Sequence, residues 1–355
     1  MRDLLVNILA ITVFLDNNDN LIPMKSVTLP SYNKNIIRAM LGLKVSDVEM
    51  PKAGKNDVII KVHAAPVNPS DIAFIQGSYN IVKSLPAVPG FEASGVVVDA
   101  GDNIKDLIGR KVSCFIQDDN SGTWSEFVVA NLSDVILLKD EMDMDQAACF
   151  TVNPFTAYGM FEIALLRESK AIIQNASGGQ VGSIIRMMAA ERNIEVIDIV
   201  RKKESADQLI AAGAKHVLVD TDENFNDQLV ELAHELDATI AYDAVGDVLG
   251  GLMYNAMPAD SELVVYGGLS NKPISDIDVM EVIFKNKIIS GFNLMDWKAE
   301  LENDEFDNIS EKLQDKFISG AYSTKIKGVS SLDDIVKGLR GYISDMSAGK
   351  LLLKP

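Results

Sequence analysis

Apolar and polar positions alternate along this chain in two different rhythms. From residue 24 to about 130 the apolar runs are short and are broken by turn residues. Strands are expected over 58–64, 94–98, 111–116 and 124–129, separated by Ala53-Gly54-Lys55-Asn56, Gly101-Asp102 and Asp119-Asn120-Ser121-Gly122. Such a pattern predicts a compact, barrel-like β domain. From residue 143 helical spacing takes over, with helices at 145–150 and 154–166. Beyond 170 strands and helices alternate. Strands are expected at 171–174, 195–200, 216–219, 238–242, 263–266 and 288–292, and helices at 181–191, 205–212, 225–234 and 248–257. This alternation predicts a parallel, doubly wound sheet. A charged helix over 301–319, a segment over 331–344 and a strand over 350–353 close the chain. That strand is expected to rejoin the first domain.

Composition narrows the classes. The chain has 355 residues, 47% hydrophobic and 24% charged, which suits a globular protein of two domains. Its net charge of −18 argues against nucleic acid as a partner. Two cysteines, Cys114 and Cys149, exclude a disulfide framework and suit a reducing compartment, here expected to be the cytoplasm. Residues 1–23 stand apart. Their apolar stretch is too short to span a bilayer, they lack a signal-peptide pattern, and Met24-Lys25-Ser26 reads as a natural start, so they are expected to be an extension. No membrane association is expected.

The most informative stretch is 170–186, KAIIQNASGGQVGSIIR. A buried strand, a turn of small residues and an amphipathic helix form the opening of a βαβ unit. Ser177, Gly179 and Gly182 hold the three positions of a G-x-G-x-x-G pattern, with Gly178, Gln180 and Val181 between them. Small residues allow close approach of a pyrophosphate, and the helix start offers free N–H groups. An ordinary glycine turn is the competing reading. Gln180 could reach over a pyrophosphate or crowd it. The second strand ends in Arg201-Lys202-Lys203, where a 2′-phosphate would be read, so NADP is expected over NAD. Asp198 falls inside the strand and is a poor ribose ligand. A solvated basic turn is the alternative. The loops Asp243-Ala244-Val245-Gly246 and Tyr266-Gly267-Gly268 should edge the same carboxyl ends.

Several further segments carry a resemblance: Val67-Asn68-Pro69-Ser70-Asp71, Gln76-Gly77-Ser78-Tyr79, Pro89-Gly90-Phe91-Glu92, Val152-Asn153-Pro154-Phe155-Thr156-Ala157-Tyr158, Tyr266-Gly267-Gly268 and Gly349-Lys350. In order and spacing the chain resembles the medium-chain dehydrogenase/reductase superfamily, in its zinc-less quinone-reductase-like branch. Gly122-Thr123-Trp124, Val200-Arg201, Phe284-Lys285, Gly291-Phe292 and Asp296-Trp297-Lys298 make it most similar there to trans-2-enoyl thioester reductases. Gln180, Asn293 and the stretch 89–95 depart from those relatives.

The resemblance implies a GroES-like β domain over 24–150, with 293–355 returning to it, and a Rossmann domain over 151–292. It implies Tyr79 as the donor that polarises a carbonyl, against a loop tyrosine held only by its ring. It implies Asn153, Thr156, Phe292 and Lys350 near the cofactor. A helix-capping role for Asn153 and a surface role for Lys350 are the alternatives. A homodimer is expected because the family is commonly dimeric. Zinc is not expected: Pro69-Ser70 stands at the first ligand position and Phe91 precedes Glu92, while His63, His216 and His234 are scattered.

The implied activity is NADPH-dependent hydride transfer to the activated double bond of an α,β-unsaturated carbonyl, first a 2-enoyl thioester and otherwise a small enone. A quinone acceptor is the second reading, and an NADP-binding protein without turnover the third. The acidic surface disfavours an acidic carrier protein, although Lys312, Lys316, Lys325 and Lys327 could form a local basic patch.

Overall fold

The computed structural model describes residues 23–119 and 121–355, so the expected extension lies outside the described residues except for Pro23. The chain divides into two compact units. The first holds the residues up to Thr151 together with Gly328–Ile343 and Leu351–Pro355; the second holds Val152–Lys327 and Ser344–Lys350.

In the first unit β1 (Pro23–Thr28) pairs antiparallel with β2 (Lys44–Glu49), and α1 (Ile36–Gly42) lies between them in sequence. The main sheet contains β3 (Asp57–Pro66), β4 (Glu92–Ala100), β5 (Lys111–Phe115), β6 (Phe127–Asn131) and β7 (Val135–Leu137). Helix α2 (Pro69–Gln76) follows β3, and α3 (Met144–Ala147) follows β7. Strand β3 is the hub, flanked antiparallel by β4 and by β6. Its residues Val58, Ile59, Ile60, Ala64 and Ala65 are almost wholly buried. Trp124, placed in a strand by its apolar neighbours, stands before β6 and is fully buried against the Pro89-Gly90 turn.

The second unit runs α4 (Asn153–Leu166), β8 (Ala171–Gln174), α5 (Gln180–Arg192), β9 (Glu195–Val200), α6 (Lys203–Ala211), β10 (His216–Val219) and α7 (Phe225–Glu235). It continues with β11 (Ile240–Asp243), α8 (Asp247–Ala256), β12 (Glu262–Val265), α9 (Val279–Phe284), β13 (Ile288–Gly291), α10 (Leu294–Glu300) and α11 (Asn303–Ile318). All pairings in its sheet are parallel, in the order β10-β9-β8-β11-β12-β13. This is the doubly wound arrangement with its reversal between β8 and β11, and ligands bind at such reversals. The four residues of β8 are all buried, as a central parallel strand requires.

The tail consists of β14 (Ile326–Ser331), α12 (Ile335–Ser344) and β15 (Lys350–Lys354), and β15 joins the first sheet between β14 and β3. The sequence reading brings the chain back to the first domain at 293; in the structure the return begins at Gly328. Helix α11 explains the difference. It buries Ile309, Leu313 and Phe317, stacks Phe306 on Phe155 of α4 at 5.0 Å, and ties Lys316 to Glu191 of α5 at 2.7 Å.

Candidate nucleotide and carbonyl sites

In the second unit the sequence of β8 and α5 builds a cradle. Ala176 takes a left-handed conformation, φ 49°, which reverses the chain after β8. The Gly179 N–H then donates to the Ala176 carbonyl at 2.8 Å. A Cβ at Gly182 would lie 3.0 Å from the Ser177 carbonyl oxygen, and one at Gly179 3.1 Å from that of Ala176, so larger residues would push the turn open. Gly179 caps α5 without a side chain, and the first bond across the turn runs from Ser183 N–H to the Gly179 carbonyl at 3.0 Å. The N–H groups of Gln180, Val181 and Gly182 therefore precede the helical ladder.

Ser177 is fully buried and turned inward. Its hydroxyl donates to the Gln174 carbonyl at 2.8 Å and accepts from Ile199 N–H at 3.1 Å, closing β9 against the turn. The Gln180 Nε2 donates to the Ser323 carbonyl at 3.1 Å, so the side chain is held by the tail. A Cβ at Gly178 would meet Ser347 at 3.5 Å.

Beneath the turn Asp198 is wholly buried in β9. It accepts from Gln174 at 2.7 Å and from Arg186 at 2.9 Å, while Arg186 also donates to the Ser177 carbonyl at 2.8 Å. Burial pushes the Asp198 carboxyl above its usual range, and Arg186 opposes that. Arg201 and Lys202 stand exposed at the end of β9. Burial raises the carboxyl of Asp220, at the end of β10, and Arg201 opposes that; its buried Oδ1 has no hydrogen-bond partner among the described residues.

The remaining expected residues take distinct places. Gly267 cannot carry a Cβ, which would fall 2.9 Å from the Ala244 carbonyl, whereas Gly268 is open. Tyr266 N–H donates to the Asp243 carbonyl at 2.9 Å, and burial raises its phenol. The Phe292 ring fills the space left by Gly159, where a Cβ would lie 2.6 Å from it, so Phe292 packs on α4. Asn153 is the first residue of α4 and does not cap it, because Val152 holds the cap position. Among the described residues its buried Nδ2 has no hydrogen-bond partner. Thr156 is buried one turn on. Lys350 is buried and its N–H donates to the Lys325 carbonyl at 2.8 Å. An orphaned amide, a cradle with no room for side chains and unladdered N–H groups fit a dinucleotide.

In the first unit Tyr79 follows α2, which ends at a left-handed Gly77, φ 69°. Its half-buried ring lies 5.4 Å from Phe91, and Phe91 lies 5.3 Å from Phe74. Burial and the nearby Asp71 raise the Tyr79 phenol above its ordinary value. Among the described residues its hydroxyl has no hydrogen-bond partner. Asn68 spans a buried carboxylate pair: its N–H donates to Asp71 at 2.7 Å and its amide to Glu92 at 2.9 Å. Thr151 adds a bond to Glu92 at 3.0 Å. These bonds hold the start of α2 against β4.

Lys83 was not singled out by sequence. It is buried at 3% exposure, donates to the Ser121 carbonyl, and sits 5.3 Å over the Phe91 ring and 5.8 Å over Phe74. No periodic pattern marks it, since Phe74 and Phe91 flank it in sequence and Lys83 itself lies in neither a helix nor a strand.

A glycine cradle at the reversal of a parallel sheet defines a dinucleotide-binding protein of the Rossmann type. Two families match: "Alcohol dehydrogenase GroES-like domain" over residues 54–140, and "Zinc-binding dehydrogenase" over 181–311. The mitochondrial enoyl-[acyl-carrier-protein] reductase of Xenopus tropicalis is 31% identical over 281 residues, covering 77% of this chain and 79% of that protein. The Bos taurus counterpart is 29% identical, with 88% and 84% covered. A solved structure from Mesorhizobium loti, described as an NADPH:quinone reductase, superimposes with a TM-score of 0.88 at 30% identity, covering 94% of this chain and 98% of that one. The chain belongs to the medium-chain dehydrogenase/reductase superfamily, in its enoyl reductase and quinone reductase type. It is thus an oxidoreductase of a family that binds a nicotinamide cofactor.

The zinc named by the second family does not fit the donors here. Cys114 and Cys149 are free and fully buried, and burial raises the Cys114 thiol. His63 pairs with Asp145 at 2.8 Å and His216 with Glu195 at 3.3 Å. Among the described residues no group of three or more His, Cys, Asp or Glu could hold a metal ion, and no helix is long and apolar enough to cross a membrane.

Proposed function

We propose that this chain is an NADPH-dependent, zinc-independent reductase of activated double bonds, acting on α,β-unsaturated carbonyls with 2-enoyl thioesters as the first substrate class. The observation that carries the reading is Tyr79: a half-buried phenol with no hydrogen-bond partner among the described residues, on an aromatic wall. When bound, the reduced nicotinamide supplies a hydride for the β-carbon of the acceptor. Tyr79 donates to the carbonyl oxygen, where negative charge grows as the enolate forms, and a proton added at the α-carbon completes the reduction. The orphaned Asn153 amide supports a role at the nicotinamide carboxamide, with Thr156 beside it. The turn from Ser177 to Val181 holds the pyrophosphate through its backbone. Tyr266, Gly267 and Gly268 support close approach of the cofactor, and Lys350 stands near it. Arg201 and Lys202 support choice of the 2′-phosphate.

A quinone acceptor is the second reading, favoured by the likeness to the Mesorhizobium loti structure. NADPH oxidation followed with crotonyl-type thioesters, simple enones and quinones side by side separates the two. No turnover with any of them, despite NADPH binding, would sink both in favour of a binding protein.

We read the assembly as a homodimer formed through one side of the second unit. Strand β13 is the edge of its sheet, and Ile288 and Ile289 on it are exposed, as are Val279, Met280, Ile283 and Phe284 on α9. An unpaired edge flanked by apolar residues suits pairing with a second copy. The free, buried thiols support a reducing compartment, read here as the cytoplasm.

A further inference from the structure

The tail of the second unit lies against the glycine turn in two passes. The first, 323–327, is held by Gln180 on the Ser323 carbonyl at 3.1 Å. The second, 345–350, is held on the first by the bond from Lys350 N–H to the Lys325 carbonyl at 2.8 Å. Gly349, φ 136°, makes the crossing possible, since a Cβ there would lie 2.7 Å from the Lys325 carbonyl oxygen and 3.1 Å from Lys327 N. Ser347 then approaches Gly178 itself.

The crossing gathers charge. Lys325 and Lys327 are exposed on the first pass, and Lys202 is exposed at the end of β9. All three act on one carboxylate, Asp345, which is half-buried. Lys327 Nζ also donates to the Asp345 main-chain carbonyl at 3.4 Å, and the Ser347 hydroxyl donates to Asp345 Oδ1 at 2.9 Å. The Ser347 bond first, and the three lysines after it, hold the carboxyl below its ordinary range. A carboxylate thus stands within electrostatic reach of cations from two distant segments, near the end of β9.

We infer that Asp345 is a specificity-determining residue of the cofactor site: its carboxylate occupies the cluster of Lys202, Lys325 and Lys327 and competes there with the 2′-phosphate of NADPH. The cluster supplies the attraction, and Asp345 sets how much of it a phosphate receives. NADH carries no phosphate at the ribose and does not enter the competition. The inference rests on the NADPH reading.

The test titrates the full chain with NADPH, NADH, 2′,5′-ADP and free coenzyme A, following cofactor or tryptophan fluorescence. Asp345→Asn keeps the acceptor for Ser347 and removes the charge. It should tighten NADPH and 2′,5′-ADP about 3- to 10-fold while NADH stays within about twofold. Lys325→Ala with Lys327→Ala should weaken NADPH about tenfold and NADH less than about twofold. An unchanged NADPH-to-NADH ratio in Asp345→Asn overturns the inference. So does tightening toward coenzyme A alone, which would make the cluster a substrate phosphate site. The two readings fail separately. A wild-type chain that binds NADH as tightly as NADPH ends the NADPH reading, and the shift of the ratio in Asp345→Asn still decides the role of Asp345.

Discussion

Asn175 and Asp243 clasp the two central strands of the nucleotide sheet where the chain order reverses. The Asn175 amide donates to Asp243 Oδ1 at 2.6 Å, and its carbonyl oxygen accepts from Ala244 N–H at 2.8 Å. The same carboxylate oxygen takes the N–H groups of Val245 and Gly246 at 2.8 and 2.9 Å. Asn175 and Asp243 are fully buried, so truncating the amide removes a bond to a buried carboxylate. Asn175→Ala should cost about 2–4 kcal/mol in urea unfolding and weaken NADPH binding, because the turn after β8 loses its brace.

Tyr79→Phe keeps the ring against Phe91 and removes only the hydroxyl. Turnover with an enoyl thioester should fall about 100-fold, the usual cost of losing an oxyanion donor, while the NADPH dissociation constant stays within about twofold. Single-turnover NADPH oxidation measures the first and fluorescence titration the second. Equal rates would remove Tyr79 from the chemistry.

Arg201→Ala should weaken NADPH about tenfold and leave NADH nearly unchanged. The measurement is a pair of titrations at fixed ionic strength, since exposed charges are screened. An equal loss for both cofactors would show that Arg201 does not read the phosphate.

Lys83 gives the protein a pH signature. Burial lowers its pKa from an ordinary 10.5 to about 8, although Asp71, Asp118 and Asp119 pull it back up. Below pH 8 the native and unfolded states both carry the charge, and the native state bears its full desolvation cost. Between pH 8 and 10.5 only the unfolded state keeps the proton, so stability rises with pH over that window. Wild type should therefore gain on Lys83→Met between pH 7 and 10, by about 3 kcal/mol at most. Denaturant unfolding of both proteins at matched pH values checks it; parallel pH curves would show that the amine is not buried as a charge.

Charge placed on the apolar side of the second unit should separate the subunits. Phe284→Asp combined with Ile289→Asp is expected to give a monomer by sedimentation velocity, with both residues exposed in the single chain and little loss of fold. A dimer that survives would move the interface elsewhere.

Much of the second unit was legible because a parallel strand is a short run of Ile, Val and Ala between helical segments. Ala171-Ile172-Ile173-Gln174 and Glu195 to Val200 became β8 and β9 at the expected bounds. Asp198 was read as strand interior, and its buried bond to Arg186 agrees. What the pattern did not carry was side-chain direction. Ser177 looked like the first glycine position of a phosphate loop, yet its hydroxyl faces Ile199. Gln180 finds Ser323 far along the chain, and such pairings leave no periodic trace. In the first unit the pattern did not mark α2, since Pro69 to Gln76 is a short helix with little amphipathic contrast. Lys83 is the extreme case: a residue type expected in water lies under two phenylalanines.

Strand β15 pairs Leu352 with Pro66 and Leu353 with Ala65, so the first sheet takes its neighbour to β3 from the far end of the sequence. Everything that makes the nucleotide unit up to Lys327 is synthesised between those partners. During translation the nucleotide unit has all its strands before β15 has been made. The first unit is therefore the late-closing part of the molecule, its sheet waiting on a closure that spans most of the chain. Cofactor supplied to a growing chain would meet a nucleotide-binding sheet before it met a finished carbonyl site.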